Sequence, residues 1–239
     1  MKVLTLPNIY SQQDNRWAKE LLGHNTDPKY DIYNYGCLIT CLAMISSYYG
    51  VPHNPSTMNK ILKENGGFSN GGFYNWGTVK KLNLGVTEEE WVGTPMPLTD
   101  SQMQKIKSAI DSGYPVMLQI DYDPKDVDLD MHYVLGIGYN SKDENDILIA
   151  DPIGGVQKSL KKYLGRFRPS ARRSIEQYII YKGAAVLSTE QLLRQIAELK
   201  TALESLQDNT KKQLSDKDKE CQNKILSVKN KLFEVVNSL

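Results

Sequence analysis

Residues 36–50, GCLITCLAMISSYYG, place a cysteine directly after a glycine, at the start of a run of small and apolar side chains. Apolar residues recur in this run at the spacing of a buried helix face: Leu38, Cys41, Leu42 and Ile45. Gly50 and Pro52 mark the end of the helix. The stretch therefore predicts a buried helix with Cys37 in its first turn.

Cys37 is a candidate nucleophile because of this position. The unpaired N–H groups and the positive dipole at a helix start favour a thiolate over a thiol. The alternative is that Cys37 only packs, as buried cysteines commonly do, and this is what we expect of Cys41. The pair at positions 37 and 41 lacks the further cysteines or histidines that a four-ligand metal site needs. The hypothesis therefore depends on finding a base elsewhere in the chain.

The composition is that of an ordinary globular protein. The chain has 239 residues, of which 40% are hydrophobic and 24% charged, with a formal net charge of +1. The charge indicates no particular partner, and three cysteines argue against a disulfide scaffold. No apolar run is long enough for a signal peptide or a membrane span. We therefore expect synthesis in a cytoplasm without a signal peptide.

Helix signals come first along the chain and strand signals later, which predicts an α+β domain over residues 1–183. Residues 1–36 are rich in polar and turn-forming side chains and are predicted to be loop. Helices are expected to begin at Pro55 and, with a capping sequence, at Thr99. Strands are predicted at four places: 115–120, 133–139, 146–151 and 177–181.

Residues 184–239 are predicted to form a separate helical tail, because no Gly or Pro occurs after residue 183. Apolar residues alternate at spacings of four and three, in two runs: Leu192, Ile196, Leu199, Leu203, Leu206, then Ile225, Val228, Leu232, Val235, Leu239. This heptad pattern is typical of a coiled coil. We expect a coiled coil or a helical hairpin, and a homo-oligomer formed through the tail; a lone solvated helix is the alternative.

The base for Cys37 is sought among three histidines. His24 and His53 lie in predicted loops, whereas His132 begins a strong strand, where a side chain is held rigidly. The next strand ends at Asp151. If the two strands form a hairpin, Asp151 can come level with His132, orient the imidazole and stabilise its charged form.

The chain resembles the papain-like cysteine peptidases, and most closely the branch of the bacteriocin-leader peptidases, over about residues 10–181. Four motifs carry the resemblance: QDNRW at 13–17, GC at 36–37 leading into LAM and YYG, HYV at 132–134 and ADP at 150–152. It implies a papain-like fold, in which a helical part carries the cysteine and an antiparallel sheet carries the histidine and the aspartate.

The resemblance also implies roles for single residues. Cys37 resembles the nucleophile, His132 the general base and Asp151 the orienting acid. Gln13 resembles the side chain that binds the oxyanion together with the N–H of Cys37. Gln12 is an alternative that spacing does not exclude, and Gln13 is preferred because Asp14 and Trp17 follow it as in the family.

The resemblance implies hydrolysis of an amide bond without a cofactor, on bacterial cell-wall peptides, by a phage endolysin or virion-associated enzyme that reaches the wall after release or in the virion. No transporter part follows, so leader processing coupled to export is not expected. Two alternatives remain: an inactive papain-like binding module, and a self-assembling virion or scaffold protein whose main function is the tail.

Two charged segments have no place in this triad. Residues 121–130 contain five aspartates, which either bind a hard cation such as calcium or stay in solvent. A basic segment follows, either a solvated face or the site of an anionic partner: Lys158, Lys161, Lys162, Arg166, Arg168, Arg172 and Arg173. Nucleic acid is not expected, because a zinc finger and an aromatic-basic signature are both missing.

A glycine-rich loop at residues 66–77 carries four aromatic side chains. It lacks the Gly-Lys-Ser/Thr ending of a phosphate-binding loop, so no nucleotide is predicted there. Its aromatic residues either line a substrate groove or only pack within a mobile loop.

Overall fold

A computed structural model describes residues 2–69, 72–93, 97–183 and 189–237. The chain divides into two compact units, Met1–Val186 and Leu187–Leu239. The predicted domain boundary after residue 183 borders residues 184–188, which lie outside the described residues, so it stays a prediction. Among the helices of the described residues, none is both long and apolar enough to cross a bilayer.

The described strands of the first unit form one antiparallel sheet. They are β1 (Lys2–Val3), β2 (Val86–Gly93), β3 (Val116–Asp121), β4 (Met131–Asn140), β5 (Asp143–Asp151), β6 (Val156–Ser159) and β7 (Ile175–Gly183). Their order across the sheet is β2-β7-β3-β4-β5-β6, and β1 pairs with the C-terminal end of β4. β3 is buried along its whole length, which places the core at the middle of the sheet.

The described helices of this unit are α1 (Ile32–Tyr35), α2 (Cys37–Tyr48), α3 (Pro55–Glu64), α4 (Asp100–Asp111) and α5 (Ala171–Ser174), with 3₁₀ turns at Val79–Lys81 and Leu160–Tyr163. α2 packs on β4 and on α3, and its side chains from Ile39 to Ser47 are all buried. Gly50 adopts a positive φ of 79° just beyond α2, a conformation that glycine allows without strain. The α+β class predicted from the sequence is confirmed.

Local signals located the central helices and strands and missed several elements, among them β1, α1, β2 and β6. The capping box at Thr99 begins α4 as predicted, with reciprocal hydrogen bonds to Gln102. The prediction that residues 1–36 are all loop is wrong, because β1 and the single turn α1 lie there. β2 and β6 were not predicted. Both are outer strands of the sheet, where charged side chains such as Glu88 are tolerated and hide the apolar alternation.

β4 and β5 form the predicted hairpin, which brings the end of β5 to the beginning of β4. Leu135 pairs with Ala150, and two irregularities in register follow towards the turn. β3 is antiparallel to β4 on its other side, with Ile120 opposite His132. The last residues of both neighbouring strands, Asp121 and Asp151, therefore lie at the end of the sheet where β4 begins.

The second unit contains one continuous helix, α6 (Thr189–Asn237). The helical hairpin that was predicted as one possibility is therefore wrong, and the coiled coil and the homo-oligomer stay predictions. Among the described side chains of this helix, large apolar ones are exposed to solvent, including Leu199 at 69% and Leu206 at 63%.

Candidate active site

Cys37 is the first residue of α2, and its side chain is half-buried. Gly36 is the N-cap, and a Cβ there would collide with the carbonyl oxygen of Ile32, so glycine is needed where α1 leads directly into α2. In the described part of the chain, no side chain caps this helix start. Its first N–H groups are therefore available to a charged or polar group that lies beside Cys37.

Cys41, one turn further along, has a different environment. It is fully buried, and its Sγ donates to the carbonyl oxygen of Tyr133 over 3.5 Å. Burial raises the pKa of the Cys41 thiol well above its ordinary value. Cys41 is thus placed as the packing residue that the sequence predicted, and Cys221 is exposed on α6.

His132 and Asp151 face each other across the β4–β5 hairpin. Nε2 of His132 lies 2.9 Å from Oδ1 of Asp151, and both side chains are almost completely buried. Burial by itself lowers the pKa of His132, but its hydrogen bonds to Asp151 and Cys37 prevail and raise it to about 9. Because Nε2 is engaged by Asp151, Nδ1 is the ring nitrogen left to exchange a proton with Cys37.

Asp151 has three further partners besides His132. The backbone N–H of Ile153 donates to Oδ1 over 2.7 Å, and the Tyr163 hydroxyl donates to Oδ2 over 2.5 Å. Nζ of Lys158 lies 2.6 Å from the same Oδ2. Burial would raise the pKa of Asp151, but the hydrogen bonds and charges of His132, Lys158 and Tyr163 lower it to about 2. The carboxylate is therefore ionised at any ordinary pH.

Lys158 and Tyr163 were not singled out by sequence reasoning. In the sequence, Lys158 is only one member of the basic segment, and Tyr163 belongs to none of the motifs. The signal that was available is their position, within twelve residues after Asp151 in a strand and turn that must fold back on β5. That fold-back is a tertiary property, and the basic composition pointed towards solvent instead.

The two glutamines of the N-terminal motif are placed differently. Gln12 is 4% exposed; its backbone N–H donates to the Pro152 carbonyl over 2.9 Å, and its Nε2 donates to the Tyr33 carbonyl over 2.7 Å. Gln13 is half-buried, and its backbone N–H donates to Ser11 Oγ. The backbone of Gln12 is thus held by the turn after Asp151, and its side chain contacts the chain that leads into Cys37.

Trp17 holds this motif in place. Its side chain is 2% exposed, and Nε1 donates to the carbonyl oxygen of Ser11 over 2.8 Å. The ring also packs edge-on against Tyr10, with centroids 6.1 Å apart. Trp17 therefore fixes the position of the backbone immediately before Gln12.

A groove of about 560 Å³ opens beside Cys37. One wall is α2 and the segment before it, with Leu38 and Tyr35, and another is β4, with Met131 and Tyr133. The third wall is the glycine-rich loop, whose Phe73 and Trp76 reach the groove with other members of the loop. Aromatic residues of this loop thus line a groove beside Cys37, and that the groove holds a substrate stays a prediction.

The basic segment is largely paired with acids of the same unit. Besides Lys158 with Asp151, three members have carboxylate partners: Lys161 with Asp143 at 2.6 Å, Arg168 with Asp121 at 3.4 Å, and Arg172 with Asp100 at 2.6 Å and Glu144 at 2.7 Å. These pairs supply an internal reason for the basic composition, so an anionic partner is not needed to explain it.

The aspartates of residues 121–130 are not gathered around one point. Across the described residues, no group of three or more His, Cys, Asp or Glu side chains is arranged to hold a metal ion. Asp121 is enclosed beside Arg168, whereas Asp123, Asp126 and Asp128 lie in the turn that joins β3 to β4.

A cysteine at the start of a buried helix, a histidine on an antiparallel sheet and a carboxylate on the next strand define the class of papain-like cysteine peptidases. The family profile described as the Peptidase_C39 like family matches residues 8–186, and the chain therefore belongs to the peptidase C39-like family. The resemblance inferred from the sequence motifs is confirmed.

Among solved structures, a candidate C39-like peptidase from Bacillus anthracis is similar to this chain. The two are 16% identical, with a TM-score of 0.45, and the match covers 77% of this chain and 99% of the other. A comparison with curated proteins finds no match.

Proposed function

We propose that this chain hydrolyses an amide bond through a covalent acyl-enzyme formed on Cys37. The observation that carries the proposal is that His132 lies 2.9 Å from the fully buried, ionised Asp151 and that Cys37 is among the groups that raise the pKa of His132. A histidine so placed can take a proton from a thiol and keep it while the thiolate reacts, because Asp151 stabilises the imidazolium.

The reaction runs in two halves. The Cys37 proton passes to His132, the thiolate attacks the carbonyl carbon, and the imidazolium then protonates the leaving amine as the C–N bond breaks. In the second half His132 takes a proton from water, the hydroxide attacks the thioester, and the proton returns to the Cys37 sulfur as the acid leaves. Asp151 stays ionised throughout and fixes the orientation of the ring.

For the oxyanion we propose Gln12 rather than Gln13 as the side-chain donor, together with the N–H of Cys37. Gln12 is the buried member of the pair, and Tyr33 takes only one of the two hydrogens on its Nε2. The other hydrogen is available to a developing negative charge. Gln12→Ala is expected to lower kcat by about 100-fold, as loss of one oxyanion donor does, while Gln13→Ala should lower it less than threefold.

The substrate suggested by the family resemblance is a bacterial cell-wall peptide, which a phage endolysin or virion-associated hydrolase would cleave after release or from the virion. This substrate rests on the resemblance alone, and it is the alternative to the substrate class that the groove favours below. No cofactor or metal enters the proposed chemistry, and calcium at residues 121–130 stays an untested alternative.

The reactivity of Cys37 tests the proposed chemistry. We would measure its rate of alkylation by iodoacetamide between pH 5 and 9 in the wild type, in His132→Ala and in His53→Ala, with Cys41 and Cys221 resolved by mass spectrometry. At pH 6, Cys37 should react at least about tenfold faster than the exposed Cys221. This advantage should vanish in His132→Ala and persist in His53→Ala, which removes a histidine from a turn outside the site.

If Cys37 reacts like Cys221 in all three proteins, the hydrolase proposal fails. The inactive binding module would then be the better description of the first unit, and the scaffold role of the tail would have to be examined.

We also propose that α6 joins copies of this chain into a homo-oligomer, because its exposed leucines follow a heptad spacing. Several catalytic heads on one polymeric substrate would gain avidity without new contacts. Leu199→Asp with Leu203→Asp should reduce the mass seen by light scattering to that of one chain. Thr201→Asp with Ser205→Asp adds the same charge off the apolar stripe and should leave the assembly intact. An unchanged mass in the leucine variant would contradict the proposal.

A further inference from the structure

We infer that the groove beside Cys37 selects a bulky uncharged side chain, preferably an aromatic one, on a substrate residue that adjoins the scissile bond. This inference rests on the proposed function, because it assigns the groove to the substrate of Cys37. It names a substrate class, a peptide with an aromatic or large aliphatic residue at the cleavage site, that differs from the small and charged residues of a wall peptide.

The first support is the chemistry of the walls. Among the described residues that line the groove, none is Asp, Glu, Lys, Arg or His. This is unusual for an open surface feature of a chain in which 24% of residues are charged. A charged substrate side chain would therefore lose its water here without meeting an opposite charge.

The second support is the arrangement of the aromatic rings. Trp76 stands edge-on to Tyr74, with centroids 5.1 Å apart, and lies 6.2 Å from the ring of Tyr133. These contacts fix Trp76 on the glycine-rich loop against β4, so that a planar or branched apolar group finds aromatic faces already in position.

The third support is that three polar side chains at the groove already form hydrogen bonds within the protein. The Tyr133 hydroxyl donates to Gln119 Oε1 over 2.8 Å and accepts from Gln177 Nε2 over 3.0 Å. Nδ2 of Asn34 donates to Asp31 Oδ1 over 2.8 Å, and Nδ2 of Asn25 donates to the Leu22 carbonyl over 2.8 Å. At these three side chains a polar ligand group would have to compete with bonds inside the protein.

The fourth support is the apolar surface left at the rim. Phe73 is 74% exposed, Met131 64% and Trp76 42%, and all three line the same groove. Contiguous exposed apolar surface of this kind marks a binding site in a soluble protein. An apolar substrate side chain would cover it, whereas a charged one would not.

The test uses internally quenched peptides that differ at one position. Phe, Leu, Glu or Lys is moved through the residues on both sides of the cleavage site, and kcat/KM is measured with the full chain. A wall stem peptide of the same length is included. At one position, Phe should exceed Glu and Lys by about 100-fold, and Leu should lie between them.

Substitutions at the rim show whether the groove sets this preference. Met131→Arg places a charge among the lining residues and should lower the Phe-to-Glu ratio by at least about tenfold, while Met131→Leu should keep the ratio. Val127→Arg is the matched control, because Val127 is 68% exposed and is not a lining residue. It should leave the ratio within about twofold.

Binding is measured separately, so that the groove and the chemistry can fail independently. Cys37→Ala is titrated with blocked Phe and Glu peptide amides, followed by tryptophan fluorescence. Selective binding of the Phe peptide without turnover by the wild type supports the groove and overturns the hydrolase proposal. Turnover with equal or better use of charged or wall peptides overturns the groove inference and leaves the hydrolase in place. Failure to bind the Phe peptide also overturns the groove inference, and Cys37 alkylation then decides the chemistry.

Discussion

Two aspartates end the two strands that flank His132, and both are fully buried. The pKa of one is lowered, whereas the pKa of the other is raised. Asp151 ends β5, and Asp121 ends β3 on the other side of β4. Each also faces a cation from the basic segment, Lys158 for Asp151 and Arg168 for Asp121. Position in the sheet, burial and the sign of the partner are therefore shared.

The difference lies in the hydrogen bonds. Asp151 receives them from His132, Tyr163, Lys158 and a backbone N–H, and its pKa falls to about 2. Asp121 has no hydrogen bond of ordinary geometry on either oxygen, and Arg168 Nε lies 3.4 Å away. Burial raises the pKa of Asp121, and Arg168 together with the backbone N–H groups of Asp130 and Asp123 opposes this rise only in part. Short, directed donors decide which of two buried carboxylates can serve a histidine as a permanent charge.

The largest expected contrast is in turnover. Asp151→Asn should lower kcat/KM by about 1000-fold, because an amide neither stabilises the imidazolium of His132 nor holds its tautomer. Asp121→Asn should lower it less than threefold, although Asp121 is equally inaccessible to solvent and ends the strand on the other side of β4. Equal losses in both variants would mean that the sheet end needs two charges, and the comparison would fail.

The same two variants should differ in how stability depends on pH. The lowered pKa of Asp151 contributes stability above its unfolded value of about 3.9, and this is lost as pH falls through about 2. The raised pKa of His132 contributes stability below its unfolded value of about 6.5, and this is lost as pH rises through about 9. Asp151→Asn should therefore be most destabilising between pH 4 and 6.5, by about 3 kcal/mol.

For Asp121 the dependence of stability on pH has the opposite sign. Because its pKa is raised in the folded protein, the wild type loses stability as pH rises from about 4 towards 7. Asp121→Asn removes this loss, so its stability relative to the wild type should increase over that interval. Urea unfolding of all three proteins at pH 3, 5 and 7 measures both signs, and parallel pH curves for the two variants would contradict the assignment.

Lys158 should have a smaller effect, and one that a purely structural residue would not have. Lys158→Met leaves the Asp151 charge uncompensated, so the pKa of His132 should rise above 9 and that of Asp151 above 2. The pH profile of kcat/KM should then move to higher pH on both limbs. The imidazole resonances of His132 report the same shift by NMR.

Lys161→Met is the matched control for Lys158. It removes a lysine of the same segment whose Nζ lies 2.6 Å from Asp143, away from His132. Its pH profile should coincide with that of the wild type. A shift of equal size in both variants would show that net charge, rather than the contact with Asp151, moves the profile.

These residues also show what the sequence could predict. Helix starts, the central strands and the hairpin that joins His132 to Asp151 depend on local patterns, and they were predicted from capping residues, alternation and turn chemistry. Gln12 and Gln13 could not be separated, because neighbouring residues in a loop point in different directions that only tertiary contacts determine. The same holds for Lys158, whose composition suggested solvent while β6 folds it back onto Asp151.

The acidic residues in this region carried an equally ambiguous signal. Asp121 was read as one of five aspartates in a polar segment, although it is the last residue of a fully buried strand. Nothing in the local pattern indicates that Asp121 would lack well-aligned donors while Asp151 would collect four. The number of donors depends on chain segments that are distant from β3 and close to β5.

The smallest expected effect belongs to the Tyr163 hydroxyl. Tyr163→Phe removes one donor to Oδ2 of Asp151 but keeps the ring, whose centroid lies 5.8 Å from that of His132. Lys158 still contacts the same oxygen, so kcat should fall only about threefold, and the acid limb of the pH profile should rise slightly. Tyr139→Phe removes a hydroxyl that donates to an exposed carboxylate, Asp111, over 2.7 Å, and should leave kcat unchanged. A loss in Tyr163→Phe as large as that in Asp151→Asn would show that the hydroxyl, rather than the sum of the donors, keeps Asp151 ionised.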